Sequence, residues 1–364
     1  MKEREFISPF GIFSTIVVSV IGIGIFGYPR NAAKIVGSDG WVTAIIGGII
    51  SYILLYAVYL VVKNNAYDDF CDIFDKNFGR FLGKVSVLFF AAYIVFAITI
   101  GLRAFIEVVK MYLLPQTPTE FLTAVTIITA LCIVRGGIEA IIKFNEVSFW
   151  VMFIPMGIVL LFMLNGADFS NLLPVMTHSI HEYARSFKTV IYSFSGFEMA
   201  YLLLPLARDR KSIKKVIGKS ILFITLFYVT LFIFTIAVLS EGQTKILLWS
   251  TITMIKTINI QGSFIERWDG IVMTLWIMFF FTTFANGFYF AADIVKNTFK
   301  LQSINISSAV IVPFLYITAL YSQNIAELYD LSLSYMPVLT GINLVVFPIA
   351  ILITNSLKKQ KNKR

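Results

Sequence analysis

The sequence predicts an all-α integral membrane protein of ten transmembrane helices, arranged as two inverted halves of five with helices 1 and 6 broken. Three observations lead there. Hydrophobic residues make up 58% of the 364 positions and charged residues 14%, and the mean hydropathy is +0.82. Soluble domains average about 45–50% apolar and about 25% charged, so a soluble multidomain enzyme and a disordered chain are both excluded. The apolar runs are long and continuous, unlike the alternating segments of a membrane barrel. The runs also sort the basic residues onto one side, and two of them are interrupted at equivalent places.

The ten runs cover approximately 9–36, 40–62, 81–112, 118–134, 145–164, 187–207, 217–240, 269–297, 304–321 and 332–355. Each is close to the roughly 20 residues that a bilayer core requires. The connections are short, so residues 1–364 read as a single membrane domain with repeats at approximately 9–164 and 187–355. With the N-terminus in the cytoplasm, 21 of the 30 Lys and Arg residues fall on the inner side and 8 on the outer side, with Arg103 inside a span. That asymmetry places both termini in the cytoplasm and explains the net charge of +9 as topology rather than nucleic-acid binding.

Span 1 carries Gly22-Ile23-Gly24-Ile25-Phe26-Gly27-Tyr28-Pro29. Clustered glycines followed by proline weaken a helix, and at bilayer depth a break survives only where it lines a cavity or is buried in protein. Span 6 carries Ser193-Phe194-Ser195-Gly196-Phe197-Glu198, again small and flexible near mid-span. Discontinuous helices at matching places mark inverted-repeat transporter folds. Freed amides at a half-helix N-terminus attract a carboxylate, and freed carbonyls at a C-terminus attract an ammonium or a metal cation. A zwitterionic amino acid supplies both charges.

In span 3, Ile98, Thr99 and Leu102 are candidates for the cavity wall, and Arg103 lies one turn before Glu107. Glu198, a carboxylate at membrane depth, has three roles open to it: receiving a ligand ammonium, carrying a proton, or pairing with Arg103. Arg103 in turn has Glu107 at i+4, or the outer interface, as competing partners. Span 8 offers Thr282, Thr283 and Asn286 to coordinate a cation or line the pocket, with hydrogen bonding to their own helix as the competing role. Its phenylalanines, Phe279 to Phe281 among them, read as packing or lipid-facing residues. The outer segment 165–186, with Pro174, His178, His181 and Glu182, reads as a loop or a helix lying on the membrane surface, and 241–268 as a loop or a vestibule cap.

Two cysteines, Cys71 and Cys132, make no disulfide framework, and the His178/His181 pair lacks a third metal ligand. Met1 to Phe6 leads into an apolar run too long for a signal-peptide core. No phosphate-binding loop, dinucleotide fingerprint, nucleophile elbow or zincin motif is present. No enzyme activity, cofactor or metal is therefore expected.

The stretches "IGIGIFGYPR" in span 1, "YSFSGFEMAYLLLP" in span 6 and "ERWD" before span 8, with the ten spans, resemble the B subunits of spore germinant receptors. These belong to the amino acid–polyamine–organocation transporter superfamily. The resemblance covers essentially the whole chain and implies a LeuT-like fold in the inner spore membrane. It also implies a nutrient ligand, commonly an amino acid, and partnership with an A subunit and a lipoprotein C subunit. On this reading the ligand lies between Gly22–Phe26 (with Ile23, Gly24 and Ile25) and Ser193–Glu198 (with Phe194, Ser195, Gly196 and Phe197). Thr99, Leu102, Thr283 and Asn286 form its walls. Glu198, Arg103, Thr282 and Thr283 are candidates for ion or proton coupling, the threonine pair resembling the hydroxyls that hold sodium in some superfamily members. The alternative expectation is an H⁺- or Na⁺-coupled amino acid transporter of the same fold.

Overall fold

The computed structural model describes residues 7–22, 24–257 and 268–361. They form helices α1 (Pro9–Val20), α2 (Gly24–Val36), α3 (Gly40–Asn64), α4 (Phe70–Phe78), α5 (Arg80–Tyr112), α6 (Thr119–Arg135) and α7 (Gly137–Met163). Then come α8 (Ile180–Val190), α9 (Ala200–Leu203), α10 (Ile213–Ile246), α11 (Ser250–Lys256), α12 (Trp268–Phe299), α13 (Ile304–Tyr321), α14 (Ile325–Gly341) and α15 (Phe347–Lys361). A short π-helical turn, Ile342–Val346, joins the last two.

Among the described residues, seven stretches are long and apolar enough to cross a membrane: Gly24–Asn64, Arg80–Tyr112, Gly137–Gly166, Ile213–Ile246, Trp276–Phe299, Ile304–Tyr321 and Ile325–Lys358. The first runs through α2, a tight turn at Gly37–Asp39 and α3. It therefore holds half of the first expected span and all of the second. The rest of span 1 is the 12-residue α1, and span 6 is divided into short pieces. The fourth expected span is the 17-residue α6. Interruption thus accounts for two of the differences from ten, and length for the third.

The core is aromatic. Phe70, Phe90, Tyr201 and Phe290 pack ring against ring at 5.0–6.0 Å between α4, α5, α9 and α12. Offset and edge-on contacts of this kind add to burial. Lipid-facing positions such as Phe81, Leu161 and Ile317 are exposed. The amphipathic α4 buries Phe70, Ile73 and Phe74 and presents Asp72 and Lys76 outward.

Two ties outside the helices position the breaks. Buried Asp39 accepts hydrogen bonds from the backbone N–H groups of Met176 (2.6 Å) and Thr177 (3.0 Å) and from the Tyr183 hydroxyl (3.0 Å), and pairs with His178 Nδ1 at 3.0 Å. It bolts the segment before α8, and α8 itself, to the start of α3. Segment 165–186 is therefore a fastened strap that becomes α8 from Ile180. Ser179 and Glu182 form a reciprocal capping box at its start: Glu182 Oε2 accepts from Ser179 N (2.7 Å), and Glu182 N donates to Ser179 Oγ (3.3 Å). The second tie is a parallel bridge between Ile7 and Ala207, made by Ile7 N to Leu206 O and Arg208 N to Ile7 O, both 3.1 Å.

Candidate functional site

The first break follows Val20. Ile21 leaves helical geometry (φ −83°, ψ 79°), and α2 restarts at Gly24. The second break separates α8 and the turn Ile191–Phe194 from the turn Phe197–Met199 and α9. Its pivot is Gly196, with φ at +118°, where side chains are strained. The two breaks touch. A Cβ on Gly196 would lie 2.7 Å from the carbonyl carbon of Ser19, and one on Gly24 would lie 2.9 Å from Ser193 Cα. Ser193 Oγ donates to the Gly24 carbonyl at 3.3 Å, and the Tyr228 hydroxyl donates to the Ser193 carbonyl at 2.5 Å.

Glu198 is only 7% exposed. Its Oε2 accepts from Gly196 N at 2.7 Å and its Oε1 from the Tyr93 hydroxyl at 3.2 Å. A carboxylate of the chain itself therefore caps the second half-helix, taking amides that the break leaves without helical partners. Arg103 is engaged elsewhere: it pairs with Glu107 at 2.8 Å and donates to the Gln323 carbonyl at 3.2 Å. Of the partners considered for Arg103, the helical neighbour at i+4 is the one present.

A cavity of about 70 Å³ lies where the breaks meet. Gly22, Gly24, Ser193, Ser195, Gly196 and Glu198 line it from the broken helices, and Thr283 and Asn286 from α12. Other expected wall residues turn away. Ile25 and Phe26 are buried in packing, Phe26 edge-on to Trp276 at 5.8 Å. Phe194 stacks on Tyr228 at 4.6 Å, and Phe197 is buried on the side of Ile50 and Leu54. Thr99 bonds its own helix at Val95 and Phe96, and Leu102 is buried in the core. Ile23 lies outside the described residues. From α5 the expected Ile98 does line the cavity, joined by Ile94, Ala97 and Gly101 in place of Thr99 and Leu102. From α12 come Phe280, Phe284 and Gly287, so Phe280 is a wall residue as well as a packing one, stacked on Phe105 at 4.1 Å. Paired glycines in spans 3 and 8, Gly101 and Gly287, were the available sequence signal for this close approach.

The floor is a buried polar chain. Asn145 donates to Asn286 (2.8 Å), and Asn286 to Ser19 Oγ (2.8 Å). Thr282 and Thr283 both donate to the Val18 carbonyl, at 3.3 and 3.0 Å. These hydroxyls hold α12 to the end of α1, and a hydroxyl that donates its proton keeps its oxygen lone pairs. Among the described residues no group of three His, Cys, Asp or Glu side chains is disposed to hold a metal.

Gly24 and Ser193 also border a second, larger chamber of about 550 Å³. It lies along α2 past Gly27 and Arg30, between α11 and α14. "ERWD" falls at the start of α12, with Glu266 and Arg267 outside the described residues.

The break after α1 meets the break before α9 beside the buried Glu198, at the two stretches that carried the motif resemblance. A family profile described as "Spore germination protein" matches residues 6–327. The chain belongs to this family. Among its curated relatives is Spore germination protein GerQB of Bacillus cereus, 28% identical over 320 residues and 87% of each chain. Spore germination protein A2 of Bacillus subtilis is 28% identical over 291 residues and 80% of each chain. Spore germination protein B2 of the same organism is 25% identical over 314 residues and 85% of each chain. Family membership makes this an integral membrane protein of the germinant-receptor type and not an enzyme.

Proposed function

We propose that the chain is the nutrient-sensing subunit of a spore germinant receptor and binds an amino acid between its two broken helices. The observation that carries this is the meeting of both breaks at one small cavity beside the buried Glu198. On this reading the ligand carboxylate takes amides at the start of α2, since Glu198 already occupies those of the second half-helix. The ligand ammonium faces Glu198 and the carbonyls ending α1. A cavity of about 70 Å³ favours the smallest amino acids. Binding shifts the balance of open and closed states by its difference in affinity between them.

The same reading takes the chain as ten spans in a LeuT-like five-plus-five repeat, in the inner spore membrane with both termini on the cytoplasmic side. An A subunit and a lipoprotein C subunit transmit the change. Glu198→Ala and Gly24→Trp are expected to abolish the germination response while the protein stays in the membrane. Normal germination by both variants would defeat the proposal.

The outer chamber, parted from the inner cavity by the touching pair Gly24 and Ser193 that lines both, favours a second reading: an H⁺- or Na⁺-coupled amino acid transporter, with Thr282 and Thr283 as ion ligands. Labelled amino-acid uptake into proteoliposomes separates the two. Accumulation driven by an ion gradient supports transport; saturable binding without flux supports sensing.

A further inference from the structure

The outer chamber is about eight times the volume of the inner cavity, and at about 550 Å³ it falls in the range of small-molecule sites, ~300–1,000 Å³. Its chemistry differs from that of the inner cavity. Arg30 and Lys34, one turn apart on α2, give it a cationic wall, and the carboxylate of Asp330 stands on the α14 side. Leu248, Leu328 and Leu333 supply apolar surface, and Trp249 an aromatic plane.

Two buried donors in this wall have no partner among the described residues: Nε of Arg30 and Nε1 of Trp249, the latter in a residue only 4% exposed. Buried donors are ordinarily satisfied. The wall is compact as well. The point where a Cβ on Gly27 would sit is 3.7 Å from both Trp249 Cζ3 and the Tyr329 hydroxyl, and 3.9 Å from Asn31 Nδ2. Side chains from α2, from α14 and from Trp249 just before α11 thus converge on a glycine near the arginine.

We propose that this chamber is a second ligand site, distinct from the inner cavity, that takes a carboxylate bearing a large apolar or aromatic body. The carboxylate lies on the open edge of Arg30, where a guanidinium offers charge-assisted donors. The apolar body lies against Trp249 and the leucines. An α-amino group, where present, reaches Asp330. Such a ligand is too large for the inner cavity, so the two sites sort ligands by size.

The test uses the full-length chain in nanodiscs, with L-phenylalanine as the probe and phenethylamine as its analogue lacking the carboxylate. Saturable phenylalanine binding is expected, with phenethylamine at least tenfold weaker. Arg30→Gln is expected to weaken phenylalanine at least tenfold, and Gly27→Leu, which grows a side chain into the chamber from an unclashed Cβ, to abolish its binding. Unchanged phenylalanine affinity in a folded Arg30→Gln or Gly27→Leu protein overturns the proposal. So does equal affinity for phenethylamine, or the absence of saturable binding of both L-phenylalanine and L-leucine to the wild-type chain. Gly27 and Arg30 share one face of α2, but one variant adds bulk and the other removes charge, so misfolding of one leaves the other as the decisive measurement.

Discussion

Replacing Gly196 with alanine tests the geometry on which the inner cavity depends. With φ at +118° and ψ at −19°, the backbone there is one that L-residues avoid, at a cost of about 1–3 kcal/mol. The added methyl would also overlap the Ser19 carbonyl, a backbone group at the end of α1 that cannot rotate aside. Overpacking of this kind costs a further ~1–3 kcal/mol, so the total is roughly 2–6 kcal/mol. Gly157 provides the control: it lies inside α7, and its Cβ would meet nothing within 4 Å. There the same substitution removes backbone entropy from the unfolded chain and stabilises by about 0.5–1 kcal/mol. Thermal unfolding of the purified full chains in one detergent should therefore move in opposite directions, with Gly196→Ala well below wild type and Gly157→Ala at or above it. Gly196→Ala melting with wild type would refute the tight apposition of the two breaks.

Three further outcomes are expected. Tyr93→Phe removes one of the donors holding Glu198 and should cost about 1–3 kcal/mol in the same melt, while Phe89→Leu, on an exposed position of the same helix, should cost under about 0.5 kcal/mol. Burial pushes the Cys71 thiol up to about 12, so at pH 8 only about one part in ten thousand is thiolate; in a Cys132→Ser background, maleimide labelling should be slow until denaturant is added. The hydrogen bonds from Ser179 hold the Glu182 carboxyl below its ordinary range. A depressed acid contributes its stability above the unfolded pKa and loses it as pH falls through the folded one. Hydrogen exchange in the first turn of α8 should therefore quicken below roughly pH 4, and Glu182→Gln should remove that pH dependence.

The breaks were legible because their cause is local: Gly22 and Gly24 in span 1, and Ser-Gly beside a carboxylate in span 6, are poor helix formers, although Gly27 and Pro29 run on inside α2. The faces of α5 and α12 were not. Both helices are apolar nearly all round, and such a helix carries no periodicity to say which side meets a cavity. Thr99 looked like a wall residue because it is polar, yet its hydroxyl is spent on its own helix. Tyr93, one tyrosine among 16 in the sequence, became identifiable only when the fold brought it to Glu198. The self-capping by Glu198 was hidden for a similar reason: the carboxylate was visible, but the amide it serves is created by the backbone turn at Gly196.

The small bridge at Ile7 has a mechanical consequence. The first and sixth rods are joined where they unwind, Gly24 on Ser193 and Gly196 on Ser19, and again near their ends, where Ile7 grips Leu206 and Arg208. Two fastenings at different heights stop one rod from pivoting alone. Whatever tips α9 carries α1 with it like a paired oar, and the stroke reaches Ile7.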